Sequence, residues 1–161
     1  MKKKLIEKQQ IEKIRDIIED SKVGMMSTNL GQMPYNVFPM GTQKVDDEGN
    51  LWFYSLRNSV HFKDIQKNSK VQITYSIESK NDYLSIIGDA VPIMDKNKIE
   101  ELWNPMLDIW FEGKNDPNLV LLKIRIEQAK YWDLTSNKMT SLRSFPKSQL
   151  HTKEARKIVS H

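Results

Sequence analysis

"LWNPMLDIWFEGKNDPNLVLLKIRIEQAKYWDL", residues 102–134, decides how this chain is read. Its first half holds Trp103, Trp110 and Phe111 together with Pro105, Pro117 and an acidic turn. The prolines argue against a packed helix there. So much ring surface needs something to cover. In its second half, "LVLLKIRI" (119–126) reads as an apolar strand and "AKYWDL" (129–134) as the last one.

The same pattern continues upstream. "YLSIIGDAVPI" (83–93) reads as a strand with a bulge at Gly88. In "KVQITYSI" (70–77), Val71, Ile73, Tyr75 and Ile77 alternate with polar residues, the period of a half-buried strand. "LWFYS" (51–55) is aromatic and compact, and "DDEGN" (46–50) ahead of it supplies a hairpin turn. "YNVFPMGTQKV" (35–45) is extended, with Pro39 placing it at an edge or a bulge. "KVGMMSTNLGQM" (22–33) is a strand closing into a turn at Asn29–Gly31. Helices are expected over 5–20, where Ile11, Ile14 and Ile18 repeat at helical spacing, over 60–67 behind a Ser59 cap, and from Asp95 to about Trp103. Five or six meandering antiparallel strands with a few short helices point to a small, mainly β barrel.

The 161 residues suit one domain with a real core. A domain over 1–134 is expected, followed by a basic tail over 135–161. That tail carries Lys138, Arg143, Lys147, Lys153, Arg156 and Lys157 against Glu154 alone, a net of +5 that leaves the other 134 residues at −1. The overall charge of +4 therefore belongs to the tail, which reads as solvated or loosely docked, and nucleic acid is not an expected partner. No apolar run is long enough to span a membrane. The opening "MKKKLIEKQQ" regains charge before an apolar segment develops, so a cytoplasmic protein is expected. Without cysteine there is no disulfide, thiolate nucleophile or thiolate-bound zinc.

Motifs for side-chain chemistry are missing. The chain has no GxGxxG opening a helix, no GxxxxGK[ST], no HExxH and no GxSxG. Its three histidines stand at 61, 151 and 161, too few and too scattered for a histidine metal site. Asp46–Asp47 and Glu100–Glu101 are neighbours whose side chains diverge, so neither is an acid/base pair. Any reaction is then expected from a bound cofactor. "YSLRNSVHFK" (54–63) gathers what a phosphate needs: Ser55, Arg57, Asn58 and Ser59, then His61 in the first turn of a helix and Lys63 just after.

Taken in order, "FPMGT", "DDEGNLWFYS", "NSVHFKDIQKNSKVQITYS", "IIGDAVPI" and the opening stretch resemble the pyridoxamine 5'-phosphate oxidase-like FMN-binding split-barrel family. The resemblance is to its general stress protein branch and covers residues 8 to 134. It implies a mainly β fold, a six-stranded antiparallel split barrel with short flanking helices, sealed by the segment that holds Trp103, Trp110 and Phe111. With that fold it implies a homodimer with FMN at the subunit interface and function as a flavin-dependent oxidoreductase, the alternative being a non-catalytic flavin-binding stress or sensor protein. It also implies the contacts. Pro39, Met40 and Thr42 would lie along the ring and ribityl chain, and Tyr54 and Ser55 near the phosphate. Ser59, His61 and Lys63 would hold the phosphate, Trp110 would wall the slot, and Trp132 would reach the flavin from the partner subunit. His61 stands where the family usually has lysine, and Val60 where the oxidases proper carry arginine. "DLTSNKMTSLRS" (133–144) lacks their Arg-containing substrate motif, so pyridoxamine-phosphate oxidation is not expected. A dimer is expected on physical grounds too, because a split barrel leaves apolar strand faces that one chain cannot cover.

Overall fold

A computed structural model describes residues 2–144. Within it, alternating apolar residues build one antiparallel sheet that curls into a split half-barrel. Its strands are β1 (Val23–Thr28), β2 (Asn36–Gly41), β3 (Lys44–Val45), β4 (Leu51–Leu56), β5 (Lys70–Ile77), β6 (Asp82–Ile93), β7 (Leu119–Asp133) and β8 (Lys138–Ser144). The spatial order is β2-β1-β5-β6-β7-β4-β3, with β8 also on β7. β7 forks: Leu119 to Ile124 pair with β4, and Gln128 to Asp133 pair with β8. Three helices flank the sheet, α1 (Lys2–Asp20), α2 (Val60–Lys67) and α3 (Lys96–Leu102).

The described sheet thus has eight strands rather than six. The extended stretch 35–45 divides into β2 and β3, because Thr42 turns inward between them. The two strands expected over 119–126 and 129–134 are one continuous β7. β8 falls inside the segment read as a basic tail. It follows a turn in which Asn137 adopts φ 53°, and its Leu142 enters the core. A strand with so few apolar residues has little period to read. The rest of that segment, 145–161, lies outside the described residues.

The core follows from the alternation. Leu51 and Phe53 of β4, Val71, Ile73 and Tyr75 of β5, and Leu122, Ile124 and Ile126 of β7 point inward with Ile11, Ile14, Ile17 and Ile18 of α1. Trp52, Tyr54, Leu119 and Leu121 point outward and are covered by Ile99 of α3 and by Leu107 of the 3-10 turn Pro105–Ile109. Trp103 and Phe111 pack on that second cluster, which accounts for much of the aromatic area in the opening stretch.

The β3–β4 turn is built around Asp46. Its carboxylate accepts from the backbone N–H of Glu48 (2.9 Å) and Asn50 (2.8 Å), from Asn50 Nδ2 (3.1 Å) and from Trp52 Nε1 (2.9 Å). Burial raises the Asp46 carboxyl, but the donors of Trp52, Asn50 and Glu48 outweigh it and hold it below 3.8. A carboxyl depressed on folding stabilises the protein above its unfolded value, and that contribution fades as pH falls through the folded value. Asp46→Ala should lower the unfolding free energy by about 2 kcal/mol at neutral pH, since the indole N–H would lose its partner. In urea titrations the gap from the parent protein should narrow below about pH 4.

Candidate functional site

The head of α2 brings three of the expected residues together. Ser59 adopts an extended conformation (φ −77°, ψ 155°) and accepts from the Phe62 N–H at 3.2 Å, capping the helix. Its hydroxyl donates to Leu56 O at 2.7 Å. Phe62 and Ile65 bury the inner face of the helix against the core. Asp64 fixes the helix laterally, accepting from Thr28 Oγ1 of β1 (2.8 Å) and Asn36 Nδ2 of β2 (2.7 Å).

That placement sets His61 against the end of β4. His61 Nε2 lies 2.7 Å from Ser55 Oγ and 3.3 Å from Ser59 Oγ, and the two hydroxyls are 3.4 Å apart. The Phe38 ring of β2 sits 5.0 Å from the imidazole, tilted by 56°. Burial pushes the His61 pKa below the ordinary 6.5, and the negative charge of Asp64 opposes it only in part. At neutral pH His61 is a neutral imidazole held by hydroxyls.

The other expected residues stand elsewhere, for a simple reason: successive strand residues face opposite ways. Tyr54 points away from Ser55. It donates to Ile99 O at 2.6 Å and meets Trp103 edge-on at 5.4 Å, and burial raises its phenol to about 12. Met40 points into the core while Pro39 is exposed on the other side. Thr42 is buried, its hydroxyl 2.6 Å from that of Tyr75. Lys63 is exposed and, two residues beyond His61, diverges from it around the helix. Trp110 is 77% exposed beside the covered cluster rather than sealing it. Trp132, half-buried, pairs with Tyr83 of β6 and Met139 of β8 on the outer face of the sheet.

Two clefts lie under α1, away from Ser55 and His61. One of about 770 Å³ runs between α1, the β3–β4 turn and Arg125. Another of about 300 Å³ has Thr42 on its wall. Among the described residues, no group of three or more His, Asp or Glu is placed to hold a metal ion, and no helix is long and apolar enough to cross a membrane.

Residues 9–156 match the family described as pyridoxamine 5'-phosphate oxidase like. The chain belongs to that family. It is 26% identical over 122 residues to general stress protein 26 of Bacillus subtilis, covering 74% of this chain and 85% of that protein. The crystal structure of general stress protein 26 from Bacillus anthracis superimposes with a TM-score of 0.68 at 26% identity, over 81% of this chain and 97% of that one. The general stress FMN/FAD binding protein of Xanthomonas citri superimposes with a TM-score of 0.67 at 26% identity, over 81% and 91%.

The head of α2 gathers groups whose chemistry is compatible with an anion. The first N–H groups of a helix lack intrahelical partners and carry a partial positive charge. Two hydroxyls, an imidazole and the exposed Arg57 and Lys63 stand around that helix end. Hydroxyls and helix N–H groups suit a phosphate monoester. Asp64, Thr28 and Asn36, which fix the helix, carry no signal in the sequence. They are 28 to 36 residues apart in pairs, and no local pattern announces such a contact.

Proposed function

We propose that this chain binds FMN as a homodimer and serves as a flavin-dependent oxidoreductase. The observation that carries the reading is the Ser55–Ser59–His61 cluster at the capped head of α2, in a chain of this family. The 26% identical Xanthomonas citri protein, described as FMN/FAD binding, supports it. Ser55, Ser59 and His61 would hold the phosphate, with Arg57 and Lys63 adding long-range attraction. Pro39 and Trp132 share the outer sheet face, where they would wall the ring together with a second copy. When bound, the isoalloxazine supplies the electron or hydride transfer. The chain's own task is to bind it, orient it and exclude water around it.

The outer face supports the dimer. Val23 and Met25 of β1 and Val37 of β2 are 56%, 43% and 49% exposed on neighbouring strands, an apolar patch that a solitary chain would leave in water. FMN added to the purified protein should give a red-shifted, structured flavin absorbance and quench tryptophan fluorescence. Unchanged spectra at saturating FMN would reject the reading. The alternative, a non-catalytic flavin-binding stress or sensor protein, is favoured by the similarity to general stress protein 26. NAD(P)H oxidation by the loaded protein decides between them: turnover above the free-flavin rate supports an enzyme, and its absence supports the sensor.

A further inference from the structure

We propose that His61 makes the grip on a flavin's phosphate depend on pH, so that the protein selects phosphorylated over unphosphorylated flavin more strongly in mildly acidic than in alkaline solution. The inference rests on the FMN reading above and adds a regulator to the same site.

The geometry at α2 supports it. Around His61 the strands present neutral groups: Ser55 of β4 at 2.7 Å and the Phe38 ring of β2 at 5.0 Å. Thr28 of β1 and Asn36 of β2 spend their donors on Asp64. The charged groups are Asp64 on the same helix, with Lys63 on α2 and Arg57 in the preceding turn, both exposed. Among the described residues, no fixed cation is packed against the imidazole in the way a buried lysine or arginine would be. A neutral imidazole has one N–H to give, and an imidazolium has two together with a full charge. Protonation therefore changes both the charge and the donor count at the phosphate end, and leaves the contacts of an isoalloxazine ring untouched.

Linkage sets the size of the effect. Burial keeps free His61 neutral at pH 7, and a phosphate dianion beside it favours the imidazolium. Binding then takes up a proton, and affinity rises by at most about tenfold for each unit of falling pH. The gain levels off below about pH 6, where the phosphate itself becomes a monoanion. FMN should bind about ten times more tightly at pH 6 than at pH 8.5. Riboflavin, which shares the ring and lacks the phosphate, should bind equally at both.

The experiment is a fluorescence titration of the full-length protein with FMN and with riboflavin at pH 6.0, 7.0 and 8.5 and constant ionic strength. It is repeated for His61→Gln and His61→Lys, with circular dichroism to confirm folding. The parent should show the FMN slope and no riboflavin slope. His61→Gln should be flat and weak for FMN, and His61→Lys flat and tight even at pH 8.5. Calorimetry in two buffers of different ionisation enthalpy should show proton uptake with FMN alone. FMN affinity that stays constant with pH while both flavins bind would overturn the switch and leave the flavin site standing. A slope retained in His61→Gln would overturn the assignment to His61. If neither flavin bound at any pH, both readings would fall.

Discussion

Aspartate in place of Met25 should leave the fold intact, split the proposed dimer into monomers and weaken the proposed FMN binding by more than a hundredfold. Met25 sits near the middle of β1, facing outward, opposite Pro39 of β2 and Thr74 of β5. Val23 and Val37 extend the same apolar patch; beyond the polar Gln72, Thr74 and Ser76 of β5, half-buried Tyr83, Ile87 and Trp132 lie on the outer face of β6 and β7. A side chain 43% exposed in one chain can take a charge at a cost of only a few tenths of a kcal/mol. In a two-fold interface the same substitution appears twice, and each carboxylate must lose its water without a partner, at several kcal/mol per ion.

Flavin binding should fall with the dimer because Trp132 and Pro39 lie on that face, so one chain alone offers an open wall. Sedimentation velocity and FMN titration of Met25→Asp test both halves. Met94→Asp is the control: that methionine is 51% exposed but lies beyond β6 near α3, so the dimer and the flavin should survive. A Met25→Asp protein that remains dimeric would place the interface elsewhere. One that is monomeric yet binds FMN normally would confine the site to a single chain.

What could be read in the sequence were the features with a local physical cause. Ser59 and Asp95 cap α2 and α3 as their chemistry suggests. Pro39 lies in the edge strand β2, which tolerates a missing N–H, and Gly49 adopts φ 86° in the β3–β4 turn. The alternation over 70–77 marks β5 residue by residue. The site was less legible. Ser55, Ser59 and His61 are close in sequence and meet in space, so their cluster could be seen. Tyr54 and Met40 stand beside Ser55 and Pro39 in sequence, but strand geometry turns each to the opposite face from that neighbour. Nothing local says that Thr42 will meet Tyr75 across 33 residues, or that Trp110 will stay in solvent while Trp103 packs on Tyr54. Such contacts depend on how the sheet curls, which no short window contains.

The curl itself depends on Gly88, and replacing it with alanine should be the most damaging of these changes to the fold. β6 and β7 pair along almost their whole length, but the register slips beside Gly88: Ile87 faces Gln128 while Gly88 faces Ile126. Glu127 is the extra residue, and a bulge of this kind bends the strand and increases its twist. A Cβ on Gly88 would stand 2.4 Å from Arg125 O and 3.0 Å from Ile124 Cγ2. The first contact is with backbone held in the ladder, so it cannot move aside as the tip of a side chain would. Gly88→Ala should lower stability by about 3 kcal/mol or more, enough to threaten the fold of an ordinary domain. Gly41→Ala is the matched control, because its Cβ would meet only Gln43 Nε2, at 3.5 Å. Urea midpoints of the two variants measure the difference, and equal midpoints would show that the strands do not approach this closely. The damage should reach beyond β6. Lys70 pairs with Asp89 at 3.3 Å and also with Glu127, and Asp89 and Glu127 share a hydrogen bond that raises the Glu127 carboxyl and lowers that of Asp89. Forcing the bulge apart would separate these three groups and leave β5, β6 and β7 without the polar clasp at the point where the barrel bends.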